Sequence, residues 1–183
     1  MTNKIIPFIV LIGFAAIYRI LPHPANFAPF GAMAFMAGVV GGWRIGLAVT
    51  LGALIVSDVF INATLIDSLF YPSRLIDYSG FLAIAMGAGM LRGASMPARI
   101  AGAFSTPFVF FFISNFGVWL FGVGLGGMPY AKSVSGLIEC YFMALPFLRN
   151  SVLGDWFFMG VILMVFQLAI VTRRAAQPSL QHN

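Results

Sequence analysis

The apolar residues of this chain fall into long runs separated by short polar segments. Runs of about 20 apolar residues have the length of a helix that crosses a membrane. The first run is followed by a proline-rich segment, RILPHPANFAPF, before the next run begins. The pattern predicts six spans, at about Ile5–Leu21, Phe30–Val40, Ile45–Ala63, Tyr78–Leu91, Ile100–Val123 and Val152–Thr172.

Between the last two spans lies a shorter apolar stretch, GLIECYFMALPF. Its length of about 12 residues is too short for a crossing and is typical of an interfacial or re-entrant segment. We therefore predict an all-α polytopic membrane bundle of about six transmembrane helices, with one short helix packed into a mouth of the bundle. Residues 1–172 would form a single transmembrane domain, and residues 173–183 a polar cytoplasmic tail.

Composition supports a membrane protein. Of the 183 residues 61% are hydrophobic and 8% are charged, with a mean hydropathy of +0.98, whereas a soluble domain has about 25% charged residues. The net charge of +5 does not indicate nucleic acid, because the basic residues are scattered. The single cysteine, Cys140, excludes an internal disulfide and any multi-cysteine metal site.

The charges are unevenly distributed between the two ends of the predicted spans. One end receives six basic residues and no acid: Lys4, Arg44, Arg92, Arg99, Arg173 and Arg174. Basic residues accumulate on the cytoplasmic side, so both termini are predicted to be cytoplasmic. The outer half receives every acid and the other bases: Asp58, Asp67, Asp77, Glu139, Asp155, Arg19, Arg74, Lys132 and Arg149.

Ionisable residues in or beside apolar segments have two interpretations. A charge at membrane depth is costly and normally has a partner. In the first interpretation Asp58, Asp155, Glu139 and Arg149 are therefore only neutralised by other charges, for instance Asp155 by Arg149 or Arg19, and this locks the helices together. In the second, the outer half contains a pocket with polar walls. Asn115 would hydrogen-bond across helices or contact a ligand. His23, between two prolines, has no second metal-ligand residue at suitable spacing, and no metal or cofactor is predicted.

Four strings carry a family resemblance: LPHPANFAPFGAMAF, the pair Ser57-Asp58, SNFGVWL and YAKSVSGLIECYFMALPFLRNSVLGDWFF. They resemble a bacterial family of uncharacterised small integral membrane proteins over nearly the whole chain. That family is in turn similar to the substrate-binding S components of energy-coupling factor (ECF) transporters. The resemblance implies a six-helix protein of the inner membrane that captures a vitamin-like small molecule from outside. It also implies docking on a coupling subunit with two ATPases.

In one respect the chain departs from S components, which usually carry Ala-x-x-x-Ala in helix 1. Gly13, Ala15 and Ala16 do not have that spacing, so a solitary transporter stays an alternative. Catalytic motifs are absent from the sequence, and the chain is not predicted to be an enzyme. The remaining alternatives are a structural or assembly membrane protein and an intramembrane enzyme using Glu139, Cys140 or Asp155.

The predicted pocket is built by three segments, residues 22–30, 61–77 and 125–151. Polar groups in it would be supplied by Asn26, His23, Asp58, Asn115, Glu139 and Asp155, and anionic ligand groups would meet Arg19, Arg74 and Arg149. Flat rings would stack on Phe27, Tyr71, Trp119, Tyr130 and Tyr141. A few placed polar groups in an apolar pocket are typical of small-molecule sites.

Overall fold

The computed structural model describes residues 6–65, 73–122 and 127–175. In these residues the chain is helical and contains no strand, which confirms the predicted all-α bundle. A short 3₁₀ turn at Leu91–Gly93 follows the fourth helix. The described residues form seven α-helices: α1 Ile6–Ile20, α2 Phe30–Gly41, α3 Trp43–Leu65, α4 Ser73–Met90, α5 Met96–Phe121, α6 Val134–Met143 and α7 Leu145–Ala175.

Among the described residues, three segments are long and apolar enough to cross a membrane: Trp43–Ile61, Met96–Phe121 and Leu145–Ala169. Large apolar side chains are also exposed all around the bundle, for example Ile55, Phe112 and Phe157. Exposed apolar surface of this extent would be a liability in water. The chain is therefore an integral membrane protein.

The centre of the bundle is α2, whose residues Phe30–Gly38 are all buried. It contacts α1, α3, α4, α5 and α7. At 12 residues it is about 18 Å long, which is shorter than the hydrocarbon core. Its neighbours surround residues 30–38, so this short helix is enclosed by protein.

Small residues let α2, α3 and α4 approach closely. A Cβ on Gly38 would lie 2.5 Å from the carbonyl oxygen of Ala85, and one on Gly46 would lie 2.8 Å from the Gly38 Cα. The turn from α2 to α3 uses one residue, Gly42, with φ of 84°, a conformation that favours glycine.

The candidate site lies at one end of the helix bundle. We call this the site end: α1, α3 and α5 end there, while α2, α4 and α7 begin there. The short helix α6 also packs there, against α5 and α7. It corresponds to the predicted short helix but ends at Met143, because Ala144 forms a turn and Leu145 already begins α7.

Candidate ligand-binding cavity

A cavity of about 400 Å³ opens at the site end. All seven helices contribute to its wall, together with the loop of residues 21–29 and the segment of residues 127–133. Its volume lies within the range of small-molecule sites, roughly 300–1,000 Å³. Its polar and charged lining residues are Arg19, His23, Asn26, Arg74, Asp77, Tyr78, Ser114, Asn115, Tyr130, Ser151 and Asp155.

One face of α4 forms a side of the cavity. Arg74, Asp77, Tyr78 and Phe81 all line it, at the i, i+3, i+4, i+7 spacing of a helix face. The sequence-based start of this span at Tyr78 was wrong, because α4 begins at Ser73. Extending the helical period backwards from Tyr78 would have found Asp77, which was not among the predicted site residues.

Asp58 is the centre of a buried polar network behind this face. Its carboxylate forms ion pairs with Arg19 and Arg74, the latter with Nη1 to Oδ2 at 3.1 Å. Tyr78 Oη donates to the same Oδ2 at 2.6 Å, and Arg19 Nη1 also donates to Ser57 Oγ at 2.9 Å. Asp58 thus joins α1, α3 and α4 and lies behind the cavity wall instead of lining it.

Asp77 has different surroundings from Asp58. It lines the cavity and is half-buried. Among the described residues only Asp58 takes part in ion pairs with arginine, and Asp77 has neither an ion pair nor a hydrogen bond there. The Asp77 carboxylate therefore faces the cavity without a direct protein partner in the described chain.

Asp155, on α7, binds the beginning of α2. Its Oδ1 accepts from the backbone N–H of Ala32 at 3.2 Å, and its Oδ2 accepts from Thr106 Oγ1 at 2.8 Å. A Cβ on Gly31 would collide with this carboxylate. Since Pro29 provides no side-chain cap, the Asp155 carboxyl takes the place of an N-cap by accepting from the backbone at the start of α2.

The described residues show the predicted neutralisation for Asp58, which pairs with Arg19 and Arg74, but not for Asp155 with Arg149 or Arg19. Asp155 bonds to a helix terminus and a hydroxyl, and Arg149 is exposed. Residues 149 and 155 are six positions apart on one helix, so they lie on different faces.

Asn115 lines the cavity, but its side chain does not tie two helices together. Its Nδ2 donates to the carbonyl of Phe111 in its own helix at 2.8 Å. The backbone carbonyl of Asn115 does link α5 to α6, because it accepts from Cys140 Sγ at 3.4 Å. The amide of Asn115 therefore keeps its oxygen for other partners.

The loop of residues 21–29 covers part of the cavity. Phe27 N donates to the carbonyl of Pro24 at 3.0 Å, closing a turn in which Asn26 has φ of 62°, a conformation that asparagine tolerates. Asn150 Nδ2 fixes the turn from α7 by donating to the carbonyl of Ala25 at 2.9 Å. Within the loop, His23 stacks on Tyr18 with ring centroids 5.0 Å apart.

The apolar wall of the cavity consists largely of phenylalanines that the sequence patterns did not identify. Phe81 and Phe110 stack with centroids 4.4 Å apart, and Phe30 lies 5.5 Å from Phe81. A Cβ on Gly80 would lie 2.9 Å from the ring of Phe110, so a glycine at this position makes room for the stack.

Several predicted site residues do not line the cavity. Phe27 packs on Phe157 and Phe158. Trp119 Nε1 donates to the carbonyl of Ala131 at 2.9 Å, and Tyr141 Oη donates to that of Phe112 at 2.8 Å. These two side chains position the segments that border the cavity. Tyr71 lies outside the described residues.

Glu139 and Arg149 are exposed and away from the cavity. The buried residues of α6 are Gly136 and Cys140, whereas the side chain of Glu139 is exposed. Among the described residues no group of three or more histidine, cysteine, aspartate or glutamate side chains is placed to hold a metal ion.

Comparison with known proteins connects the chain to one family. A family model described as a family of unknown function (DUF6580) matches residues 1–180. No curated protein and no solved structure gives a significant match. Because the family model covers nearly all of the 183 residues, the chain belongs to this family of unknown function.

Proposed function

We propose that this protein binds a small, ring-containing, vitamin-like metabolite and serves in its uptake across the bacterial inner membrane. The observation that carries the proposal is the cavity of about 400 Å³ into which all seven helices direct side chains. In so apolar a chain, polar residues inside the bundle are costly, and their usual role is in a binding site or transport pathway.

The proposed ligand contacts are residues that line this cavity, some of them predicted from the sequence. Rings would lie against the wall formed by Phe30, Phe81 and Phe110. Polar groups of the ligand would meet Arg19, His23, Asn26, Arg74, Asn115, Tyr130 and Asp155. Glu139 and Arg149, which lie elsewhere, are not part of the proposed site.

The proposed orientation places the site end outside the cell and both termini in the cytoplasm. At the opposite end Arg44, Arg92 and Arg99 surround the turns after α2 and α4. This arrangement follows the usual cytoplasmic excess of basic residues.

The energy for uptake would come from a partner. The sequence has no nucleotide-binding motif, and an ECF-type coupling subunit with two ATPases is the partner that the family resemblance suggests. A solitary transporter driven by a gradient is the alternative, since α1 lacks the Ala-x-x-x-Ala pattern.

The proposal is tested by ligand-dependent thermal stability of the purified protein in detergent. A ligand that binds only the folded state stabilises it, by about 2.7 kcal/mol at a concentration of 100 Kd. We expect at least one compound in a panel of water-soluble vitamins and related ring metabolites to raise the Tm.

Two serine variants on α5 form a matched pair for this test. Ser114→Phe would fill the cavity, which Ser114 lines, and should abolish the shift. Ser105→Phe is on the exposed side of the same helix and should leave the shift unchanged. A panel without any stabilising compound, or a shift that survives Ser114→Phe, would contradict the proposal.

A structural or assembly protein is the second candidate, and the Asp58 network favours it. The ion pairs of Asp58 with Arg19 and Arg74 tie three helices together, which requires no ligand. If the protein is only structural, Ser114→Phe should raise the Tm or leave it unchanged, and no compound should shift the Tm.

A further inference from the structure

The charged groups on the α1–α4 side of the cavity are not equivalent. Arg19 and Arg74 both form ion pairs with Asp58. The side chains of Asp58 and Arg74 are 8% and 9% exposed, so their ion pair is buried, although Arg74 also lines the cavity. A ligand anion would have to compete with Asp58 for both arginines.

Asp77 is the carboxylate in this group that has neither an ion pair nor a hydrogen bond with a described residue. It lies one helical turn after Arg74 on the cavity face of α4. It is attracted by the charge of Arg19 and repelled by the like charge of Asp58. No described residue forms a hydrogen bond or an ion pair with it. A carboxylate inside an apolar bundle normally has a partner, and the cavity is where one would be accommodated.

The apolar wall beside Asp77 suits a flat cationic group. Phe81 follows Asp77 by one helical turn and stacks on Phe110, with ring centroids 4.4 Å apart. The ring centroid of Phe30 lies 5.5 Å from that of Phe81. The faces of aromatic rings attract cations as well as other rings. A negative charge next to aromatic rings therefore selects a ring that carries a basic nitrogen.

We infer that the ligand of this cavity is a ring compound with a protonated basic nitrogen, and that Asp77 is the residue that binds this nitrogen. The inference rests on the proposed function and specifies its ligand class. Charge-assisted hydrogen bonds are about twice as strong as neutral ones, so Asp77 would distinguish a cationic ligand from a neutral one of the same shape.

Three probes of nearly equal shape test the inference: benzamidine, benzamide and benzoate, which are cationic, neutral and anionic at pH 7. Their binding to the purified protein is measured from the concentration dependence of the Tm. We expect benzamidine to bind most tightly and benzoate least. Asp77→Asn should weaken benzamidine about tenfold or more, the size of a lost charged hydrogen bond, and leave benzamide unchanged.

Controls separate binding from folding. Glu139→Gln removes an exposed carboxylate outside the cavity and should keep the preference for benzamidine. Asp77→Asn should melt like the wild type without ligand, because Asp77 has no described partner to lose. If that variant does not fold, Asp77→Ser is the second neutral variant. Any stabilising compound from the vitamin panel is compared between wild type and the Asp77 variant in the same way.

The outcomes distinguish this inference from the proposed function. If benzamide or benzoate binds as tightly as benzamidine, or if the Asp77 variant keeps the preference, the inference is wrong. It is also wrong if the vitamin panel yields only compounds without a basic nitrogen. In these cases a shift abolished by Ser114→Phe would still support ligand capture. If no compound of either set stabilises the protein, both fail.

Discussion

At the scale of single residues, the three aspartates that the structure describes occupy different environments. Asp58 is neutralised by two arginines, Asp155 binds the N-terminus of α2, and Asp77 faces the cavity without a direct partner in the described chain. Their residue type and their position in or beside apolar segments are the same. What separates them is which helix packs against each carboxylate.

Asp58→Asn is expected to lower the free energy of unfolding by about 3–5 kcal/mol, the usual cost of removing one partner from a buried ion pair. The substitution leaves Arg19 and Arg74 close together without the charge between them. The measurement is denaturant or thermal unfolding in detergent. Glu139→Gln, at an exposed carboxylate, is the matched control and should change little. An Asp58→Asn protein as stable as the wild type would show that the network does not hold the helices.

At the scale of elements, the central contacts are made by small residues of α2, α3 and α4. The patterns Ala34-x-x-x-Gly38 and Ala85-x-x-x-Gly89 lie at these contacts, whereas a Cβ added to Gly87 of Ala83-x-x-x-Gly87 would meet no atom within 4 Å. The sequence pattern is the same in each case. A glycine is needed only where it lies on the helix face that packs against a neighbouring helix.

Gly38→Ala should therefore destabilise the protein by about 1–3 kcal/mol, the cost of overpacking a filled contact. Its Cβ would lie 2.5 Å from the Ala85 carbonyl oxygen and 2.9 Å from the Ala88 Cβ, and neither atom can rotate away. Gly87→Ala meets open space and should be neutral or stabilising by up to about 1 kcal/mol, because alanine is the better helix former. Equal melting temperatures for the two variants would contradict the close approach of α2 and α4.

At the scale of the whole molecule, the alternation of helix directions brings the polar residues to one end. The α1 helix ends where α7 begins. The start of α1 and the end of α7, which are the two ends of the described chain, therefore lie opposite the site end. The described basic residues Arg44, Arg92 and Arg99 lie at that opposite end. The charge asymmetry and the position of the cavity therefore follow from the same topology.

Reporter fusions test the orientation. A fluorescent protein that folds only in the cytoplasm should be bright when fused to the C-terminus. Alkaline phosphatase, which is active only outside the cytoplasm, should be active when inserted after Lys132 at the site end. The physical reason is that basic residues are retained on the cytoplasmic side. An active phosphatase at the C-terminus with a dark fluorescent fusion would reverse the orientation.

By itself the sequence determined the class of this protein: apolar runs of membrane length predict helices, and the short GLIECYFMALPF stretch predicts a short one. It also indicated a polar site end, and seven of its predicted site residues do line the cavity: Arg19, His23, Asn26, Arg74, Asn115, Tyr130 and Asp155. These features are local, because each depends on the hydropathy of neighbouring residues.

The tertiary structure alone decided which side chains face the cavity. Asp77 and the Phe30, Phe81 and Phe110 wall were not identified, because a phenylalanine facing lipid and one facing a cavity look alike in an apolar run. Conversely, Glu139 and Arg149 were predicted to be functional from their charge, but they are exposed away from the cavity. The direction of a side chain depends on the rotation of its helix against its neighbours. That rotation is set by packing between segments distant in sequence.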